Sequence, residues 1–196
     1  MNKKYLLIFA CLLLFLAGCS SASAANANSS EGSENRVMIG NAIAIDAPEE
    51  LTLLENKETL AADGLYYATW VAGNSVPYKN SDGETIDLYD AQLYFLASET
   101  SKEESAQEYC STWLAAAKKN YDVQTEKSIT CNDYSYTLIT YNCISEDNPY
   151  DRGVSAFGVC GNTAVCAEFT CLKNYEGDLE SILTSLLDNC YHNTKE

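Results

Sequence analysis

The chain has 196 residues, with 12 basic against 28 acidic side chains, a formal net charge of −16 and one histidine. A surface this acidic repels phosphate backbones and anionic headgroups, which excludes nucleic acid as a partner in the absence of a local basic patch, and none is visible. Nine cysteines and 14 tyrosines are the unusual components.

Met1-Asn2-Lys3-Lys4 leads into an apolar run from Tyr5 to Leu16, which ends in Leu16-Ala17-Gly18-Cys19. Two lysines, an apolar stretch and small residues before a cysteine follow the order of a secretory signal peptide. The ending resembles the lipobox of bacterial lipoproteins. That resemblance implies a diacylglyceryl group on the Cys19 thiol and cleavage between Gly18 and Cys19, so that residues 1–18 are the signal peptide and Cys19 begins the mature chain. Two or three acyl chains, at about 0.8 kcal/mol per buried CH₂, anchor stably where one chain would be marginal. Two competing readings are an ordinary signal peptide with a chance cysteine and an uncleaved membrane helix. The run is shorter than the ~20 residues that span a bilayer, and no second stretch of that length occurs. The expected location is the cell membrane, with the domain held by lipid on the extracytoplasmic face. In a host with two membranes, Ser20 behind the lipidated cysteine permits sorting to the outer membrane.

Residues 19–35 read as the lipidated cysteine and a tether rich in Ser, Ala and Asn, a flexible coil of ~20–25 Å span. Residues 36–196 are long enough for a real hydrophobic core and read as a single domain. Loss of Lys3 and Lys4 with the signal takes the formal charge to −18.

Within the domain, a period of two predicts strands over Val37–Asp46, Leu65–Val71 and Leu88–Ser98, with Leu51–Glu55 a weaker addition. Asp82-Gly83 suits a tight hairpin between the second and third of these. A helix follows from about Ser101 to Tyr121, where Ser101 and Glu104 form a capping-box pattern before the apolar stripe Ala106, Tyr109, Cys110, Trp113, Leu114, Ala117 and Tyr121. Val123–Cys131, Tyr134–Ile144, Val154–Cys160 and Thr163–Cys171 then read as a meander turned by Asn132-Asp133, a longer Asn148-Pro149 to Arg152-Gly153 connection and Gly161-Asn162. A second helix, from about Gly177 to Tyr191, carries Leu179, Ile182, Leu183, Leu186, Leu187 and Cys190 on one face.

Of the nine cysteines, Cys11 lies in the signal and Cys19 carries lipid, which leaves seven in the domain. Seven is odd and no CxxC pair occurs, so redox and zinc templates fail. A two-residue turn at Gly161-Asn162 sets Cys160 opposite Thr163, Phe157 opposite Cys166 and Arg152 opposite Cys171, and the turn at Asn132-Asp133 sets Cys131 opposite Tyr134. No thiol faces a thiol across either hairpin. The reading adopted is mostly reduced cysteines acting as small core residues, and its rival is one disulfide between elements.

Tyr134–Ile144 is apolar on both faces, which requires a sheet covered on both sides. The expected fold class is α+β, a largely antiparallel sheet with helices on both faces, an α/β/α sandwich. This order of elements resembles the PsbP/Mog1-like domains: an early strand running into Pro48, a strand hairpin, a helix after Ser98, a meander closing in Gly161-Asn162-Thr163-Ala164-Val165, and a final helix near Asp178. The resemblance implies a noncatalytic binding or assembly role and carries no site residue over.

No catalytic, cofactor-binding or metal-binding residue is assigned. His192 is the fifth residue from the end, beyond the last predicted helix, an exposed position ill suited to a catalytic imidazole, and loss of Tyr191–Glu196 is expected to leave the fold nearly intact. The acidic loops Asn80–Asp87 and Glu146–Asp151 lack EF-hand spacing and read as turns. Tyr66, Tyr67, Tyr78, Tyr89 and Tyr94 crowd the first hairpin, either as strand filler or as a platform for sugars or peptides. The functional expectation is a lipid-anchored extracytoplasmic module that binds an unknown protein or small-molecule ligand without catalysis. The alternative is an extracytoplasmic hydrolase using a carboxylate pair or a cysteine.

Overall fold

A computed structural model describes residues 36–58, 64–80 and 82–192 of the chain. The signal peptide, its Gly18-Cys19 junction and the tether expected from the sequence lie outside the described residues. The strands are β1 (Arg36–Ile39), β2 (Ile43–Asp46), β3 (Thr52–Glu58), β4 (Leu65–Lys79), β5 (Thr85–Glu99), β6 (Tyr121–Cys131), β7 (Tyr134–Cys143), β8 (Arg152–Cys160), β9 (Thr163–Cys171) and β10 (Cys190–His192). Helix α1 (Glu103–Asn120) lies between β5 and β6, and α2 (Leu179–Asp188) between β9 and β10. A seven-stranded sheet has the order β3-β4-β5-β9-β8-β7-β6, and a small sheet has the order β1-β2-β10. Every pairing is antiparallel.

The expected α/β/α sandwich is corrected by this architecture. Strands hold 57% of the described residues and helices 19%, a sheet-rich fold rather than a sheet layered between helices. The misreading begins at Val37–Asp46, which is a hairpin and not one strand. Gly40 turns the chain at φ +61°, a value that favours glycine, and Ile39 pairs with Ile43 across the turn. The hairpin recruits the chain end through Cys190↔Ile45, Tyr191↔Ala44 and His192↔Ile43. Ile39, Ile43 and Ile45 thereby share one core with Leu183, Leu186 and Leu187 of α2, so a second sheet does part of the covering expected of helices.

Side chains alternate across the large sheet and divide between two cores. On β9, Val165, Ala167, Phe169 and Cys171 join the core under α2 and the small sheet, whereas Ala164 and Cys166 join the core under α1 with Trp113 and Phe157. Helix α1 starts without the expected capping box: Lys102 is its N-cap and no side chain caps it. Helix α2 is capped by Asp178, which accepts a hydrogen bond from Ser181 N at 3.1 Å. It ends at Asp188, three residues before the expected Tyr191, because Cys190 leaves to pair with β2.

The meander follows the register read from its turns. Cys160 pairs with Thr163, Phe157 with Cys166, Arg152 with Cys171 and Cys131 with Tyr134. Asn132 and Asp133 both have positive φ, 45° and 65°, as a type I′ hairpin requires. The β4 and β5 strands run 15 residues each, past the ends read from the sequence.

Candidate functional site

The most chemically unusual group is Glu168, in the middle of β9. It lies opposite Tyr94 of β5 and Ser155 of β8, on the sheet face that carries α1. Tyr121, the residue after α1, donates its hydroxyl to Glu168 Oε1 at 3.1 Å. Tyr121 also stacks on Tyr141 with ring centroids 4.1 Å apart, and Ser155 Oγ is 3.2 Å from the Tyr141 hydroxyl. Glu168 Oε2 is sealed from solvent and has no hydrogen-bond partner, although other atoms of the residue keep some exposure. Burial raises the carboxyl to about 7, against the opposing pull of the Tyr121, Ser155 and Tyr141 hydroxyls. Tyr121 and Tyr141 are held above their ordinary value, again chiefly by burial. The nest is therefore one carboxyl among hydroxyls, poised to change charge near neutrality.

A general acid needs a raised pKa, which Glu168 has, but the two-carboxylate chemistry needs a second acid on the other side of the substrate. The side chains that act on the Glu168 carboxyl are all hydroxyls. The thiols nearby are quiet: burial pushes Cys143 up to about 12, Cys110 to about 11 and Cys166 well above its ordinary value. Cys110 also donates to Gly158 O at 2.8 Å.

A cleft of about 290 Å³ opens on the opposite face, between the β6-β7-β8 end of the sheet and the start of α2. Gln124, Thr140, Asn142, Arg152, Asp178 and Glu180 are its polar wall. Its acids already have structural work: Asp178 caps α2, and Glu180 pairs with Lys127. Arg152 donates to Tyr175 O at 2.8 Å.

The third feature is a ribbon. Strand β4 pairs with β3 only as far as Thr52↔Val71, and β5 with β9 only as far as Ala91↔Cys171. Beyond a bulge at Gly73, φ +77°, Ser75 to Lys79 pair only with Tyr89 to Thr85 among the described residues. Asp90 fixes the bulge by accepting from Asn74 N at 2.7 Å. Five residue pairs at about 3.4 Å make an arm of roughly 15 Å. One side of the arm carries Val76, Tyr78, Ile86 and Leu88, with Val76 51% exposed. The tip turn is tied by Asn80 Oδ1, which accepts from Asp82 N and Glu84 N, the hairpin chemistry read from Asp82-Gly83.

The sequence-derived candidates are scattered by the fold. Tyr67 and Tyr94 stack at 5.4 Å, Tyr67 donates to Glu55 Oε2, and Lys57 sits over the Tyr67 ring. Tyr78 lies instead on the arm. His192 is not a fraying terminal residue: it is half-buried in β10, and its ring occupies the space where a Cβ on Gly161 would fall. No disulfide joins the seven domain cysteines, and among the described residues no cluster of three His, Cys, Asp or Glu side chains could hold a metal ion. Among the same residues no helix is long and apolar enough to cross a membrane. Glu168 was missed by sequence reasoning, although its signal was present: an acid flanked by Ala167 and Phe169, the one charged residue in a strand that is largely apolar on both faces.

No protein-family model matches the chain, and no curated protein matches it. Among solved structures, a Bacteroides thetaiotaomicron protein is similar at TM-score 0.45 and 12% identity over 78% of this chain; the match spans 46% of that protein's length. A Pseudomonas aeruginosa protein of unknown function is similar at TM-score 0.34 and 12% identity, over 52% of this chain and 85% of that one. Cyanobacterial PsbP (CyanoP) from Synechocystis is similar at TM-score 0.39 and 7% identity, over 85% of this chain and 99% of that one.

Proposed function

We propose that the chain is a lipid-anchored extracytoplasmic bacterial protein whose domain binds a protein partner, without catalysis, through the β4–β5 arm. The anchor rests on Leu16-Ala17-Gly18-Cys19. The binding role rests on the arm itself, two strands that leave the sheet together with an apolar row on one side and a half-exposed Val76. Leu88 at the base of the row is already buried, whereas Tyr78 and Ile86 are half-buried and Val76 is exposed, so a surface that covers the outer part of the row is favoured by burial. Asp82, Glu84 and Asp87 outnumber Lys79 along the arm, which calls for a partner offering an apolar strip rimmed by basic side chains.

The test is a photo-crosslinking residue placed at position 76 in intact cells, with position 130 on the edge strand β6 as control. The reading expects one protein adduct from position 76, lost in an Ile86→Asp background and weakened by salt. Equal adducts from both positions, or none from position 76, overturn it. The hydrolase reading has Glu168 as its one specific support. It gains if the purified protein turns over an ester, peptide or glycan at a rate that Glu168→Gln abolishes with the fold unchanged.

A further inference from the structure

We propose that Cys160 and Cys190 are a latent disulfide pair, a modification site that staples the chain end to the large sheet when the protein meets a disulfide-exchanging oxidant. Cys160 is the last residue of β8 and Cys190 the first of β10, so no hairpin register brings them together. Tertiary packing does. Both are fully buried in the core beneath α2 and the small sheet, and each side chain is the largest influence on the other's proton affinity. A second contact lies beside the pair in the chain: the His192 ring is 2.7 to 2.8 Å from the point where a Cβ on Gly161 would sit, one residue from Cys160 and two from Cys190. A third holds the backbone: Asn132 Nδ2 donates to Cys190 O at 2.7 Å.

The pair is also chemically unequal. Cys190, with Tyr134, holds the Cys160 thiol below its ordinary pKa, whereas Cys190 is held high by Cys160 and by burial. The other domain thiols, Cys110, Cys131, Cys143, Cys166 and Cys171, are all pushed upward, chiefly by burial. Cys160 is thus the thiol primed to ionise and attack, and Cys190 is the one placed to resolve.

The reaction needs an oxidant, for which a small-molecule disulfide or a disulfide-bonded oxidoreductase serves. The Cys160 thiolate attacks one sulfur of that disulfide, breaks its S–S bond and expels the first thiolate, which takes up a proton. Cys190, deprotonated, then attacks the Cys160 side of the mixed disulfide and expels the second thiol. The protein loses two hydrogens and two electrons, and the oxidant gains both. Access to the buried sulfurs comes from opening β10, a three-residue strand whose one strand partner among the described residues is β2. An extracytoplasmic address is what would bring the pair to such an oxidant; the chemistry of the pair does not depend on that address.

The experiment uses the full chain, purified reduced in detergent and incubated with oxidised glutathione. The expected product is about 2 Da lighter, carries no glutathione, has two fewer thiols after denaturation, and yields a peptide linking Cys160 to Cys190. Its β10 amides exchange more slowly than those of the reduced protein. Cys160→Ser and Cys190→Ser should each keep a glutathione adduct or remain unmodified, while Cys131→Ser still forms the link. A link to any other cysteine, or full retention of both thiols after incubation under conditions where β10 amides exchange, overturns the proposal. The peptide map of the unmutated protein decides the matter even if a variant fails to fold.

Discussion

Replacing Glu168 by glutamine keeps the side chain's shape and removes its titration, which isolates the energetic effect of burying this carboxyl. In the folded chain it titrates at about 7, against an ordinary value of 4.5. A carboxyl with a raised folded-state value holds its proton where the unfolded chain has lost it. Below pH 4.5 both states are protonated and burial carries no ionisation penalty. Between 4.5 and 7 the folded state binds more protons than the unfolded state, so stability falls with rising pH. Above 7 both states are ionised and the full penalty applies. A tenfold difference in proton affinity between the two states is worth about 1.4 kcal/mol, so the penalty reaches about 3 kcal/mol. Glutamine carries its own constant cost, about 1 kcal/mol for a buried amide lacking a partner at the Oε2 position. The readout is therefore the slope of a difference curve. Urea denaturation of both proteins at half-unit steps from about pH 4 to pH 8 should show Glu168→Gln gaining on the unmutated chain by about 3 kcal/mol across the window, with equal m-values. A flat difference curve would refute the burial of a titrating acid at this site.

Other substitutions test the frame around the nest and the chain ends. A Cβ at Gly153 would lie 2.5 Å from Tyr141 Cζ, and Tyr141 is pinned by its stack on Tyr121, so Gly153→Ala should cost about 1–3 kcal/mol in urea denaturation and disturb the Glu168 titration with it. Asp178→Ala removes the cap of α2 and should cost about 1 kcal/mol in the same measurement. Truncation after Asn189 strips β2 of its β10 partner and exposes the seat of the fully buried Cys190; a loss of about 2 kcal/mol or more is expected, where a fraying tail would cost nothing. Cys19→Ser should abolish lipid attachment by intact mass and shift the protein from the detergent to the aqueous phase, or leave unprocessed precursor. An unmutated protein without lipid would end the anchoring proposal.

What could be read from the sequence were local interactions, and what could not were contacts between distant segments. Asn132-Asp133 and Gly161-Asn162 define two-residue turns, and a two-residue turn dictates which residues oppose each other, so the pairing of Cys160 with Thr163 and of Cys131 with Tyr134 follows from chain chemistry alone. Period-two patterns find strands for the same reason. Gly40 gave a weaker signal, because Ile39 and Ile43 continue the apolar alternation on either side of it, and a hairpin of two four-residue strands resembles one longer strand until its third partner is known. That partner is Cys190-Tyr191-His192, at the far end of the chain. The helical period of α2 runs smoothly into it through Leu187, and nothing local says where helix gives way to strand. Both the sheet-rich fold and the Cys160–Cys190 juxtaposition depend on this long-range pairing. Glu168 is the intermediate case. Its position in an apolar strand marks it locally as costly, but its meaning depends on Tyr121 and Tyr141, which reach it from the end of a helix and from two strands away. Burying an acid there is tolerable only because those hydroxyls and Ser155 offset part of the desolvation, and an acid held at the edge of ionisation is what such partial compensation produces.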